Sequence, residues 1–159
     1  MKCRLLSVFA FVVLSGLSNC TYNDLWSGEV PSASVDYLMF GHTSGFCIQC
    51  DEVYKIFEGK LYGASNQIIS DPDAVALTQL PNSNYSLVSS ITSQIPIRIV
   101  TGSTSSINII GAPFPDAGHT YIEVSQNKKI YRWYIELGNI PSDLQDFLNA
   151  VQAALSKLN

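Results

Sequence analysis

Two cysteines separated by two residues carry the clearest chemical signal in this sequence. They are Cys47 and Cys50, in the stretch FCIQCDE. A pair at this spacing can form a disulfide, exchange disulfides as a redox centre, or supply two thiolates to a metal. Redox exchange needs a thiol in electropositive surroundings, whereas Asp51 and Glu52 follow directly here and disfavour a thiolate. We therefore expect a structural disulfide between Cys47 and Cys50, with thiol-redox and metal chemistry as the alternatives.

A metal site would need further ligands, and the two histidines are the candidates. His42 lies five residues before Cys47, and His119 follows Asp116 in a later segment. If the two segments meet, both histidines and the cysteine pair can form the Cys₂His₂ tetrahedron that zinc prefers. The spacing is not that of a zinc finger, so we expect neither a bound metal nor a cofactor. In the simpler interpretation, His42 ends one strand and His119 begins another on its solvent side.

Other catalytic combinations are poorly supported by the sequence. There is no Gly-x-Ser-x-Gly nucleophile motif. Cys47 and His119 have the side chains of a nucleophile and its base, but an exported cysteine beside a second one is expected to be oxidised. Asp116 and Glu123 could form an acid–base pair, although Asp116 is more simply a turn residue and Glu123 an outward strand residue. We therefore assign no catalytic residue and expect a protein that is not an enzyme.

The chain begins with the pattern of an export signal. Lys2 and Arg4 precede an apolar run that extends from Leu5 to Leu17. This run is too short to cross a bilayer, which needs about 20 apolar residues. A basic start followed by a short apolar run and small residues is typical of a removable signal peptide. We therefore expect residues 1–19 to be a signal peptide and the protein to be exported to the cell envelope.

The end of the signal decides how the protein is attached. The stretch LSNC, residues 17–20, resembles a bacterial lipobox, in which Cys20 is lipidated and becomes the first mature residue. A lone cysteine at a mature start would otherwise need a partner or remain a reactive thiol. Acyl chains on Cys20 would anchor the protein to a membrane. The alternative is cleavage after Ser18, which would release a secreted soluble protein.

Charge and length limit the remaining possibilities. Loss of Lys2 and Arg4 with the signal lowers the formal net charge from −4 to −6. Binding of nucleic acid needs clustered basic residues, so we expect no nucleic-acid partner. No second long apolar run occurs. We therefore expect a tether over residues 20–33 and a single domain over residues 34–159.

Alternating apolar and polar residues predict the strands of this domain. VDYLMF predicts one strand, and EVYKIF and LYGAS predict a hairpin around EGK. HTYIEVS and KIYRWYIEL predict a second hairpin around QNKK. In its second strand, Tyr131 and Trp133 share one face, which we expect to meet a core rather than to form an exposed aromatic platform. The opposite face, with Arg132 and Tyr134, is expected to meet water.

Apolar residues at three- and four-residue spacing predict the helices. AVALTQL predicts a short helix that starts near Asp71, SNYSLVSSITSQIP predicts a second, and the residues after Val100 predict a loop. The C-terminal IPSDLQDFLNAVQAALSKLN predicts an amphipathic helix capped by Ser142 and Gln145. The fold expected is α+β, an antiparallel sheet of two hairpins with the C-terminal helix and a short helical mid-section packed on one face.

A resemblance to other proteins rests on two stretches of the sequence. They are FGHTSGFCIQCDEVYKIFEGKLY near the start, and GAPFPDAGHTYIEV with the YRWYIELGNIPSDLQDFLNAVQAAL that follows it near the end. With them the chain resembles small uncharacterised exported or lipid-anchored proteins of Bacteroidota. The resemblance implies a second cysteine pair, where Ala112 and Pro115 stand here, and it implies no activity.

The function expected is therefore that of a non-catalytic envelope lipoprotein of the periplasm or outer membrane. Such a protein would be a binding or interaction module for an unidentified protein or small molecule. The alternative is a periplasmic thiol-redox or metal-handling protein that uses Cys47 and Cys50.

Overall fold

The structure, a computed structural model, describes residues 28–30, 34–43, 52–65, 76–111 and 118–159. Its strands form one sheet in the order β4-β3-β2-β1-β6-β7-β5, in which neighbours are antiparallel except for the parallel pair β5 and β7. The strands are β1 (Val35–Thr43), β2 (Glu52–Phe57), β3 (Lys60–Ser65), β4 (Thr78–Gln79), β5 (Asn108–Ile110), β6 (His119–Gln126) and β7 (Lys129–Glu136). With the helices packed against it, this sheet confirms the predicted α+β class.

The two predicted hairpins, β2–β3 and β6–β7, form most of the sheet, and β1 lies between them. β1 lies between β2 of the first hairpin and β6 of the second, antiparallel to both. Leu38 and Phe40 point to the side that carries the helices, whereas Met39 points to the other side, and all three are buried. A strand buried on both faces is what a central position requires. The other helix-side residues of the sheet that are buried include Ile56, Leu61, Ile122, Val124 and Ile135.

The helices pack on one face of the sheet, as expected. They are α1 (Asn82–Val88), which 3₁₀ turns at Ser89–Gln94 and Ile97–Thr101 follow, and α2 (Gln145–Leu158). The predicted apolar stripe of α2 is confirmed, with Phe147, Leu148, Val151 and Leu155 buried. Tyr131 and Trp133 also face this core, and the Trp133 indole N–H donates to the Ile99 carbonyl oxygen at 2.9 Å.

The helix predicted from AVALTQL is wrong in its described part. Thr78 and Gln79 form β4, which pairs with Tyr62 and Gly63 of β3, and the Leu80 N–H donates to the Leu61 carbonyl at 2.8 Å. A short isolated helix is marginal in water, whereas the edge of β3 offers backbone partners to the same residues. Residues 71–75 lie outside the described part of the chain.

Two further details of the helical and loop predictions differ from the structure. The segment after Val100 contains β5 rather than loop alone, because Asn108–Ile110 pair with β7. Ser142 does not cap α2 with its side chain, since it lies inside a 3₁₀ turn in which the Leu144 N–H bonds to the Pro141 carbonyl at 2.9 Å. Proline at 141 starts this turn before the expected cap.

Residues 28–30, which the sequence assigns to the tether, pack against the domain. Val30 is buried, its N–H donates to the Ile95 carbonyl at 2.8 Å, and the Ile97 N–H donates to the Gly28 carbonyl at 2.8 Å. The folded domain therefore includes these residues, ahead of the expected boundary at residue 34. The predicted signal peptide and Cys20 lie outside the described residues. Within the described ranges, no helix is long and apolar enough to span a membrane.

Candidate functional site

The two candidate histidines lie at the same end of neighbouring strands but on opposite faces of the sheet. The backbone of His42 in β1 is opposite Glu52 of β2 and Thr120 of β6. Side chains alternate along a strand, so His42 shares the helix side with Phe40, whereas His119 shares the other side with Tyr121. The imidazole of His119 packs edge-on against the Tyr134 ring, with 6.2 Å between the ring centroids.

This arrangement separates the ligands that a Cys₂His₂ site would need. The described residues contain no group of three potential metal ligands, and the two histidines extend from opposite faces of the sheet. β1 ends at Thr43 and β6 begins at His119, both at this end of the sheet. Cys47, Cys50 and Asp116, like Cys20, lie outside the described residues.

The exposure predicted for the charged side chain of Glu123 is wrong. It was expected to point outward to water, yet it is only 1% exposed. Its Oε1 accepts a hydrogen bond from the Tyr37 hydroxyl at 2.6 Å, and its Oε2 accepts from the Tyr121 hydroxyl at 2.6 Å and from Arg132 Nε at 2.7 Å. Bonds of this length to an ionised group are among the strong ones in proteins. We call these four residues the Glu123 cluster.

The sheet register brings the Glu123 cluster together. Glu123 lies opposite Met39 of β1 and opposite Arg132 of β7. Tyr37 lies two residues before Met39, and Tyr121 lies two residues before Glu123. Both therefore point to the same face of the sheet as Glu123. The cluster thus joins β1, β6 and β7. Lys55 of β2 extends it, because its Nζ lies 3.8 Å from the centre of the Tyr37 ring, a cation–π distance.

The electrostatics of the cluster favour structure over catalysis. Burial raises the pKa of the Tyr121 phenol far above its ordinary value, and the hydrogen bond to Glu123 raises it further. The phenol therefore stays protonated and keeps donating. A general base must reach the proton it abstracts from a substrate, whereas both oxygens of Glu123 are occupied and enclosed. The acid–base pair of Asp116 and Glu123, which the sequence analysis considered and set aside, finds no support from the Glu123 side of this geometry.

The face that carries the cluster is not the water-facing side that alternation predicts. Met39, Val53 and Tyr121 form a small buried apolar group there. Tyr134 and Leu77 pack against this group and are only partly exposed. The sheet is therefore buried at its centre on both sides. The alternating residues of β7 face a large apolar core on the helix side and a small one on the other side.

Asp36 ties the start of β1 to the turn between β6 and β7. Its Oδ2 accepts from the Lys128 N–H and from the Ser125 hydroxyl, both at 3.0 Å. A register shift between Val35 and Tyr37 directs the carboxylate to this turn. The bond from the Lys128 N–H, followed by the bond from Ser125, holds the pKa of Asp36 below its ordinary value.

This lowered pKa predicts a pH-dependent difference between the protein and its Asp36→Asn variant. The charged form stabilises the fold at pH above about 4, the ordinary Asp pKa, and the contribution is lost as the pH falls through the lowered folded value. We expect the variant to unfold at lower urea concentration at pH 7, with a smaller difference from wild type at pH 2. A matched loss of a surface carboxylate, Asp146→Asn, is the control. A difference between wild type and Asp36→Asn that is the same at both pH values would contradict the prediction.

Three of the surface clefts show no reaction centre. Their volumes are about 250, 150 and 320 Å³, at or below the lower end of the usual range for small-molecule sites. The largest is lined by Asp36, Glu58 and Tyr85 among others, and Asp36 is already bonded to the turn. The 250 Å³ cleft includes Asp143, which is paired with Arg98 at 3.0 Å. In both clefts a lining carboxylate is therefore already engaged by another part of the fold.

Two exposed apolar side chains lie at the β5 edge of the sheet. Ile107 is 43% exposed and Ile109 is 53% exposed, and because they are two residues apart they point to the same face. We call these two residues the edge patch. Among the described strands, β5 is the last one on this side and has β7 as its neighbour. The sequence did not reveal this patch, because INII is too short to establish a strand period.

Comparison with known proteins does not add a relationship. The chain matches no protein-family model and no curated protein.

Proposed function

We propose that the protein is an exported, lipid-anchored binding protein of the cell envelope that acts by contact rather than by catalysis. The observation that carries this proposal is the edge patch, where large apolar side chains are exposed beside an edge strand. Exposed apolar groups next to an edge strand, as β5 is among the described strands, are typical of sites where another chain binds. The enclosed Glu123 cluster supports the same conclusion, since the buried carboxylate serves the fold.

Lipidation at Cys20 would hold the domain close to the membrane. Gly28 is already bonded to the domain, so about eight residues separate it from Cys20. A fully extended chain spans at most about 3.5 Å per residue, which limits this tether to roughly 28 Å. The membrane is then the first partner, through acyl chains, and an unidentified protein or small molecule is the second. The net negative charge of the mature chain supports no nucleic-acid partner.

Intact mass spectrometry of the full-length chain made in a bacterial host tests the proposal. We expect a mature protein that starts at Cys20, carries acyl chains, and has the mass of a Cys47–Cys50 disulfide. Cys20→Ser should abolish acylation, because it removes the modified thiol, whereas Cys3→Ser should leave the mature product unchanged. An unacylated product that begins at residue 19, or a full-length chain with free thiols, would contradict the proposal.

The register of β1 and β2 favours a second candidate function. It pairs His42 with Glu52 at the end of the sheet where His119 also lies, and Cys47 and Cys50 come between these two paired residues in the sequence. A thiol-redox or metal-handling role for Cys47 and Cys50 would use this end. The same preparation discriminates between the two functions. Rapid exchange of the pair with glutathione disulfide, or a bound metal in the mass spectrum, would favour the second candidate, and an oxidised pair that resists mild reductant would favour the first.

A further inference from the structure

Both hairpins of the sheet turn at the same end. The first part of β1 lies opposite Phe57, the last residue of β2, and opposite Gln126, the last residue of β6. The turns that follow these two residues carry three exposed lysines, which are Lys60, Lys128 and Lys129. We call this part of the molecule the turn end, and these three residues the turn lysines.

The ammonium groups of the turn lysines are available to an outside partner. Both arginines are used inside the domain, because Arg98 pairs with Asp143 and Arg132 pairs with Glu123. Within the part of the chain that the structure describes, the side chains of the turn lysines form no hydrogen bond or ion pair. The turn lysines therefore present their charge to the solvent.

Charge is divided unevenly between the two ends of the sheet. At the turn end, the three lysines outnumber the carboxylates of Asp36 and Glu58, and Asp36 is already bonded to the β6–β7 turn. The opposite end carries Glu52, the first residue of β2, and Glu136, the last residue of β7. The turn end is therefore positive in a chain whose mature part is negative overall.

The expected tether enters the domain near the turn end. Ser34, six residues after Gly28, accepts a hydrogen bond from Gln126 Nε2 at 2.8 Å. An extended chain spans at most about 3.5 Å per residue, so Gly28 lies within about 21 Å of Ser34. The helical side also connects the two places, since Gln94 lines the cleft at Gly28 and Thr92 lines the cleft beside the β2–β3 turn.

We propose that the turn lysines contact the anionic phospholipid surface of the membrane that holds the lipid anchor at Cys20. This inference deepens the function proposed above and rests on it for the anchor. A tether that enters near the turn end brings the lysines to the surface, where anionic headgroups attract them within a Debye length, about 10 Å at 0.1 M salt. A lipid chain combined with a basic patch is a common way to make membrane attachment stable.

The carboxylates beside the tether determine how the domain sits on this surface. Glu29 and Asp146 line the cleft at Gly28 together with Asp143, which is paired with Arg98. Anionic headgroups repel Glu29 and Asp146, so the domain should tilt onto its turns instead of resting on this cleft. The acidic end of the sheet then points away from the membrane.

Acetylation of the lysines in the full-length wild-type protein tests this contact. Protein made in a bacterial host is inserted into preformed vesicles of phosphatidylcholine, or of equal parts phosphatidylcholine and phosphatidylglycerol, and is treated with a water-soluble acetylating reagent. Peptide mass spectrometry measures the modification of each lysine. We expect at least about three-fold less acetylation of the turn lysines on the anionic vesicles. The difference should disappear in about 1 M salt, where the Debye length is about 3 Å.

Lys157 is the matched control. It is an exposed lysine in the last turn of α2, and α2 contacts the sheet through Thr120 of β6, at the end opposite the turns. Its acetylation should be the same on both kinds of vesicle. The double variant with Lys128→Glu and Lys129→Glu should lose the protection of Lys60, whereas Lys157→Glu should keep it.

The membrane contact and the anchor can fail separately, because the intact mass of the same samples reports acylation of Cys20. In an acylated protein, equal acetylation of the turn lysines on both vesicles, or equal protection of Lys157, overturns the contact alone. An unacylated chain that sediments with anionic vesicles and not with neutral ones refutes the anchor and supports the contact. An unacylated chain that sediments with neither refutes both.

Discussion

Replacing Glu123 by leucine is expected to lower the free energy of unfolding by about 3–5 kcal/mol, the usual result of removing one partner of a buried charge pair. The substitution removes three hydrogen bonds that Glu123 accepts, from the Arg132 guanidinium and from the hydroxyls of Tyr37 and Tyr121. The Tyr121 hydroxyl is buried, and a buried donor that loses its partner keeps the full cost of desolvation. Urea unfolding at pH 7, followed by circular dichroism, measures the change.

Two controls separate the loss of the cluster from a general loss of charge. Asp146→Ala removes an exposed carboxylate from the first turn of α2, and should cost no more than about 1 kcal/mol. Adding Arg132→Met and the two tyrosine-to-phenylalanine changes to Glu123→Leu removes the donors as well. This combined variant should recover part of the lost stability, since replacing a whole buried ionic group by apolar residues is often neutral. A Glu123→Leu protein within 1 kcal/mol of wild type would contradict a structural role for the cluster.

Gly41→Ala is expected to destabilise the protein by about 3 kcal/mol, at the upper end of the usual cost of overpacking. Gly41 lies in the central strand β1, opposite Val53 of β2 and Tyr121 of β6. A Cβ atom at this position would overlap the carbonyl oxygen of Glu52. Because this oxygen belongs to the backbone, relief requires β2 to move away from β1. The same urea unfolding experiment measures the effect.

Gly138→Ala is the matched control for this substitution. A Cβ at Gly138 meets no other atom within 4 Å, so we expect a change of no more than about 0.5 kcal/mol. Amide hydrogen exchange adds a local measurement, since the β1–β2 hydrogen bonds should exchange faster in Gly41→Ala and those of α2 should change less. Equal stability of the two alanine variants would show that the backbone at Gly41 has room for a side chain.

The sequence predicted the elements whose signal repeats over enough residues. Alternation identified the hairpins and β1, and the three- and four-residue spacing identified α2 with Phe147 and Leu148 on its inner face. These patterns are reliable because backbone geometry repeats every two residues in a strand and every 3.6 in a helix. They also placed Trp133 in the core. Predictions on the N-terminal signal, Cys20 and the cysteine pair concern residues that the structure does not describe, and they stay predictions.

Contacts between residues distant in the chain decided what the sequence left open. AVALTQL and INII are too short to show a helix or strand period. Thr78–Gln79 and Asn108–Ile110 became strands because they pair with the edges of β3 and β7. For Glu123, alternation predicted only the face of the sheet to which its side chain points. Its burial depends on Tyr37, 86 residues away, and on Arg132 across the hairpin. Local periodicity sets the side to which a residue points, but only the packed sheet determines what lies there, because that environment comes from other strands.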